Sequence, residues 1–156
     1  MEYEPNNALE MIKEYFKTKF HNTSEVGLFE FGVTGLTSAD FQECIFDALV
    51  ISPRKLYLRG FEFKTIHGDF LRDIRTNKWR KYLKYCHTFS FVCPKGLIQK
   101  EEIESPAGLI WIWKDGDYFY SKIIRRPKKQ DISQDTVLKL IALFVSRIKW
   151  RINDFF

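Results

Sequence analysis

The sequence lacks the features that would place it in a membrane or outside the cell. Its most apolar window, LKLIALFV, is far short of a membrane span, and Lys139 and Arg147 interrupt the apolar pattern there. The N-terminal MEYEPNNALEM begins with acids and has no basic segment followed by an apolar run, which excludes a secretory signal. Three cysteines, Cys44, Cys86 and Cys93, share no C-x-x-C spacing. An odd, unspaced set is typical of reduced thiols, so we expect a soluble cytoplasmic protein.

Repeats, linkers and low-complexity tracts are also missing. A chain of 156 residues is long enough for one sizeable core and too short for two, so residues 1–156 are expected to form a single domain. Hydrophobic residues make up 45% and aromatic residues 17%, which excludes a disordered chain and predicts an aromatic-rich core. The 25 Lys and Arg against 20 Asp and Glu give a net charge of +5. That excess indicates an anionic partner where it is clustered.

The first half of the chain reads as a helix followed by three strands. Apolar residues at helical spacing predict an amphipathic helix over 7–20. Three β-rich apolar runs follow, separated by turn-forming residues, and they predict a meander of strands over 25–33, 43–52 and 55–65.

The second half alternates helical and extended patterns. Residues 69–86 have a helical period and predict one helix, after which TFSFVCP reads as a strand. Next comes a hairpin turning on Asp115-Gly116, a dipeptide that suits tight turns. The last predicted helix, 133–150, opens with Ser133 as capping material. Its expected inward residues are Val137, Leu140, Ile141, Phe144, Val145 and Ile148.

Three of the charged residues in the predicted strands, Asp47, Glu62 and Lys64, form one constellation. Successive side chains of a strand alternate between faces, so Glu62 and Lys64 project one way while Phe61 and Phe63 project the other. Asp47 is a single acid in the apolar run IFDALVI of the preceding strand. If the two strands pair, the two carboxylates converge and supply the hard oxygen ligands that suit Mg²⁺ or Mn²⁺.

This constellation has a functional and a structural interpretation. A metal that polarises a phosphoryl oxygen, with an ammonium beside it, is what phosphodiester hydrolysis requires. An E-x-K pattern alone, however, is usually a surface ion pair between strands. Asp47 favours the functional interpretation, because an unpartnered carboxylate in an apolar strand is costly to bury.

Positive charge is clustered in two places. The predicted helix over 69–86 carries six basic residues and only two acids, Asp69 and Asp73; the basic residues are Arg72, Arg75, Lys78, Arg80, Lys81 and Lys84. The segment KIIRRPKK holds a second cluster that includes Arg125 and Arg126. Such runs are usually solvated, but phosphate contact is the natural functional interpretation here.

Asp47 followed by Glu62-Phe63-Lys64 is similar to the site pattern of the PD-(D/E)xK nuclease superfamily, with Phe46 in place of its proline. More narrowly, the segment from Glu62 onward resembles the MmcB-like DNA-repair family. The resemblance covers most of the chain from about Glu25, and its matching positions are Asp69-Phe70, Lys78-Trp79, Tyr82, Cys86, Phe89 to Phe91 and Ala107 to Ile110.

The resemblance implies an α/β fold with a restriction-endonuclease-like core, in the order αβββαβ, flanked by helices and extended by a C-terminal hairpin and helix. It implies a Mg²⁺- or Mn²⁺-dependent DNA endonuclease of repair or restriction type. Asp47, Glu62 and the carbonyl of Phe63 would hold the metal, and Lys64 would be the catalytic lysine. An acid of the first helix often assists in this superfamily, and the candidates here are Glu10 and Glu14.

The DNA-contacting residues that follow from this interpretation are Arg72, Arg75, Lys78, Arg80, Lys81, Arg125 and Arg126. Because a small single-site nuclease cuts both strands of a duplex only as two protomers or in two visits, a homodimer is one candidate assembly. Two other functions stay open: a DNA-binding module with a nuclease fold and little or no catalysis, and an interaction protein in which Glu62 and Lys64 form a surface pair.

Overall fold

The computed structural model of the chain describes residues 4–33, 44–148, 152–154 and 156. They form one mixed six-stranded sheet with helices packed against it. The strands are β1 (Val26–Gly32), β2 (Ile45–Ser52), β3 (Tyr57–Phe63), β4 (Thr88–Pro94), β5 (Gly108–Asp115) and β6 (Tyr118–Arg125). The α-helices are α1 (Pro5–Phe20), α2 (His67–Arg75) and α3 (Gln134–Ile148), and 3₁₀ helices occupy Lys78–Lys84, Lys100–Glu102 and Ile152–Asp154.

The strands lie in the sheet in chain order, from β1 to β6. β1, β2 and β3 pair antiparallel, which confirms the predicted meander. β3, β4 and β5 pair parallel, and β6 returns antiparallel beside β5. The predicted order of one helix, three strands, a helix and a strand, followed by a hairpin and a helix, is therefore confirmed for the described residues.

The two faces of the sheet carry separate apolar cores. α1 packs on one face, where Phe16 meets Phe61 and Phe63 at ring-centroid distances of 5.1 and 5.2 Å. The other core contains residues of α2, α3 and the 3₁₀ helix Lys78–Lys84, including Phe70 and Trp79. Because side chains alternate along β3, Glu62 projects towards the second core, on the side of the sheet away from α1.

The prediction of one continuous helix over 69–86 is wrong, because this segment forms two separate helices. α2 ends at Arg75, and Asn77 then adopts a left-handed conformation with φ 52°. A left-handed residue breaks the α-helical hydrogen-bond ladder, and Asn tolerates this conformation better than most residues do. The chain resumes as the 3₁₀ helix Lys78–Lys84, so the basic residues lie on two short helices and not on one continuous helix.

The C-terminal elements follow the prediction with two corrections. Asp115 pairs with Tyr118, so the hairpin turns on residues 116 and 117, where Gly116 supplies a positive φ of 57°. Ser133 caps α3, because its Oγ accepts the backbone N–H of Thr136 at 3.1 Å. Val145 was expected inside but is 61% exposed, and residues 149–150 of the predicted helix lie outside the described residues. Among the described helices, none has the length and apolarity needed to cross a membrane.

Candidate active site and basic cleft

Neighbouring strands bring Asp47 and Glu62 together. The last pair between β2 and β3 is Ala48 with Phe61, so the same register continued by one residue sets Asp47 opposite Glu62. The Asp47 carboxylate accepts the backbone N–H of Phe63 through Oδ2 at 2.6 Å. This hydrogen bond fixes the first carboxylate beside the end of β3, where Glu62 and Lys64 emerge.

Lys64 lies immediately after β3 and is held by two acids. Its backbone N–H donates to the carbonyl of Val92 at 2.8 Å, which continues the pairing of β3 with β4. Its ammonium donates to Glu62 Oε1 at 3.2 Å and to Asp73 Oδ2 at 2.5 Å. The side chain of Lys64 is only 9% exposed, and those of Glu62 and Asp73 are each 14% exposed. Glu62 and Lys64 are therefore a buried pair and not a pair at the surface.

Burial dominates the electrostatics of this site. It raises the pKa of Glu62 to about 7, and the neighbouring Asp47 charge adds to the rise. Burial also raises the pKa of Asp47, and the Phe63 N–H offsets part of that rise. For Lys64 burial favours the neutral amine, but the attraction of Glu62 and Asp73 outweighs it, so the pKa is raised. Two carboxylates in this position favour a shared proton or cation, while the lysine keeps its charge.

The carboxylate pair fits a hydrated divalent cation. Glu62 Oε2 is buried and has no hydrogen-bond partner, so it is an acceptor that a bound cation could use. Mg²⁺ is commonly held by one or two carboxylates and keeps several waters. In the part of the chain that the structure describes, no group of three or more His, Cys, Asp or Glu side chains could hold a metal. The remaining ligands would then be waters and a backbone oxygen, such as the predicted Phe63 carbonyl.

A cleft of about 750 Å³ opens beside this site, between α2 and the 3₁₀ helix Lys78–Lys84. We call it the basic cleft. Its described lining is polar or charged throughout and comprises Arg72, Asp73, Thr76, Asn77, Lys78, Arg80, Lys81 and Lys84. Five of these residues are cations and one, Asp73, is an acid. Because Asp73 also binds Lys64, the wall of the basic cleft reaches the buried lysine directly.

Most of the predicted DNA-contacting residues lie in the basic cleft, but three do not. Arg75 is exposed on α2 outside the lining. Arg125 donates to the carbonyl of Ile103, and its backbone lies three strands from Glu62, a distance of about 14 Å across the sheet. Arg126 is exposed just after β6. The second basic cluster is therefore separate from the candidate active site.

The acids proposed from the first helix are also remote. Glu10 and Glu14 are exposed on α1, which packs against the face of the sheet opposite to Glu62. The structure does not bring either of them to Asp47.

Two residues near the site were not assigned a role from the sequence. Asp73 is the closer acid to Lys64, and it lies one helical turn after the buried Phe70, on the same face of α2. That spacing was the signal that could have revealed it. Tyr82, expected only as core, donates its hydroxyl to the carbonyl of Ile45 at 2.9 Å and interacts with Glu62. Burial raises the pKa of Tyr82, so it remains a neutral donor.

The fold is similar to that of a solved structure, described as the SPO1766 protein of unknown function from Silicibacter pomeroyi. The similarity covers 97% of this chain and 91% of that chain, with a TM-score of 0.68 and 20% sequence identity. At this identity the likeness concerns the fold alone. No family model matches the chain, and a search of curated proteins found no match.

Proposed function

We propose that this chain is a Mg²⁺- or Mn²⁺-dependent DNA endonuclease, of repair or restriction type, built on a restriction-endonuclease-like core. The observation that carries the proposal is the convergence of Asp47, Glu62 and Lys64 in a buried position beside the basic cleft. Phosphodiester hydrolysis needs a site that stabilises negative charge next to a surface that holds the phosphate backbone. This arrangement supplies both within one corner of the fold.

Each residue has a defined task in this proposal. Asp47 and Glu62 would hold the divalent cation, with the Phe63 carbonyl and waters completing its shell. When bound, such an ion polarises the phosphoryl oxygen and acidifies a water. Lys64 keeps its proton and stabilises the charge that develops on the phosphate. Arg72, Lys78 and their neighbours in the basic cleft hold the flanking phosphates and orient the scissile bond.

A second candidate is a DNA-binding module with the same fold and little catalysis. The observation that favours it is the ligand count: Asp47 and Glu62 are the two carboxylates available to a metal, and the described residues contain no group of three or more candidate ligands. Binding would use the same cleft, so DNA affinity alone does not separate the two functions. Strand scission by the purified protein does.

The test compares binding and cleavage in the same variants. Wild type, Glu62→Ala and Lys64→Ala are incubated with supercoiled plasmid in Mg²⁺, in Mn²⁺ and in EDTA, and DNA affinity is measured in parallel by fluorescence anisotropy. The proposal predicts nicking by wild type alone, lost in EDTA, while all three proteins bind DNA. A Glu62→Ala protein that cuts as fast as wild type would refute the assignment. Binding without cleavage by wild type would establish the second candidate.

A further inference from the structure

We propose that Asp73 is a positioning residue, which holds the Lys64 ammonium so that Glu62 remains available to the divalent cation. This inference rests on the proposed function, and it assigns to Asp73 a role that concerns the lysine and not the metal itself. Asp73 is on α2, whereas Glu62 is in β3 and Lys64 follows that strand directly.

The distances show which acid binds the lysine more closely. Lys64 Nζ is 2.5 Å from Asp73 Oδ2 and 3.2 Å from Glu62 Oε1. Among charge-assisted hydrogen bonds, a shorter donor–acceptor distance indicates a stronger bond. Asp73 is therefore the closer partner of the ammonium, and the second oxygen of Glu62, Oε2, is buried without a hydrogen bond.

Without Asp73 the lysine would compete with a metal for the same carboxylate. Glu62 would then be the remaining acid bonded to the ammonium, and an ion pair at Oε1 opposes the approach of a second cation. With Asp73 present, the ammonium has a second carboxylate partner, and Glu62 is not the sole acid that holds it.

The placement of Asp73 in the basic cleft supports the same role. It is the one acid among the described residues that line the cleft, and a carboxylate there repels the phosphates that the surrounding cations attract. Its position is set by α2, because Phe70 on the same face is fully buried and packs edge-on against Phe91 at 5.2 Å. The helix thus presents a fixed carboxylate to Lys64.

The experiment is a double-mutant cycle read by metal binding, without DNA or turnover. Isothermal titration calorimetry with Mn²⁺ gives the dissociation constants of wild type, Asp73→Asn, Lys64→Met and the double variant. Loss of a residue that orients a metal ligand typically weakens metal affinity by about 10–100-fold, and this is the expected effect of Asp73→Asn in wild type. In the Lys64→Met background we expect a change of less than about threefold, because no ammonium is left to position.

Two further variants control for charge and folding. Asp69 is an acid on the same helix that forms an exposed ion pair with Arg72 at 3.5 Å. Asp69→Asn should therefore leave the Mn²⁺ affinity unchanged. Asp73→Glu preserves the carboxylate and should recover most of the affinity, and thermal melting establishes that each variant is folded.

The outcomes separate this inference from the function on which it rests. Equal losses from Asp73→Asn in both backgrounds would make Asp73 a direct contributor to the metal site and would overturn the positioning role. An unchanged Mn²⁺ affinity in Asp73→Asn would also overturn the positioning role. Wild type that binds no Mn²⁺ would instead refute the metal-dependent function, and the inference with it. In addition, Asp73→Asn should lower kcat for nicking without raising KM for DNA, because the substitution removes a carboxylate and no cation from the basic cleft.

Discussion

Replacing Lys78 by Ala should reduce both the DNA affinity of this protein and the dependence of that affinity on salt. Lys78 is exposed in the basic cleft, whose described lining has five cations. Each phosphate that a cation neutralises contributes about −0.9 to the slope of log K against log salt. Five contacts give a slope of about −4.5, which is about a 500-fold loss of affinity between about 50 and about 200 mM salt. Lys78→Ala removes about one of these contacts, so the slope for the variant should be about −3.6.

The assay is fluorescence anisotropy of a labelled duplex of about 20 base pairs, in EDTA, at several salt concentrations. The matched control is Lys17→Ala, because Lys17 is exposed on α1, on the opposite face of the sheet. It should keep the wild-type slope. An unchanged slope in Lys78→Ala, or equal reductions in both variants, would refute the basic cleft as the phosphate-binding surface.

Three further predictions concern stability. Glu62→Gln should raise the free energy of unfolding at pH 8 in EDTA by about 2–3 kcal/mol, because the raised pKa of about 7 makes the buried carboxylate destabilising above that pH. The gain should vanish near pH 4.5, and urea unfolding that shows the same gain at both pH values would contradict it. His87→Ala should cost about 1–2 kcal/mol at pH 8, since Nδ1 accepts the Leu58 N–H at 2.9 Å. Burial lowers the pKa of His87, so this contribution is present above about pH 6.5 and is lost as the pH falls through the lowered pKa. The cost of His87→Ala should therefore shrink in acid, and the same cost at both pH values would refute this prediction. Gly60→Ala should destabilise the fold by about 1–3 kcal/mol and lower the melting midpoint, because the new Cβ would clash with the Phe46 ring; an unchanged midpoint would contradict this packing.

The sheet and the core of the candidate site were predictable because they depend on local alternation. Asp47 interrupts one apolar strand and Glu62 and Lys64 interrupt the next, so neighbouring strands had to bring them close once the meander formed. The period of two also assigned Phe61 and Phe63 to the opposite face, where they pack on α1.

The remaining features depend on how helices dock on the sheet. The 69–86 segment has one apolar period, and only the left-handed conformation of Asn77 divides it, a choice that helical periodicity does not encode. The contact between Asp73 and Lys64 depends on the position of α2 over β3, so from the sequence Asp73 counted only as a charge that offsets the basic cluster. Val145 fits the apolar period of α3 but lies on a face that no described element covers.

The most direct test of the central claim is the initial rate of supercoiled-plasmid nicking by wild type and by Glu62→Gln, under matched DNA-binding conditions. The account predicts nicking by wild type in Mg²⁺ or Mn²⁺ that stops on addition of EDTA and returns when excess metal is restored. It predicts no nicking above background by Glu62→Gln, whose carboxamide is a poorer ligand for a hard cation. Equal nicking rates for the two proteins, or nicking by wild type that persists in EDTA, would contradict a metal-dependent nuclease site at Asp47, Glu62 and Lys64.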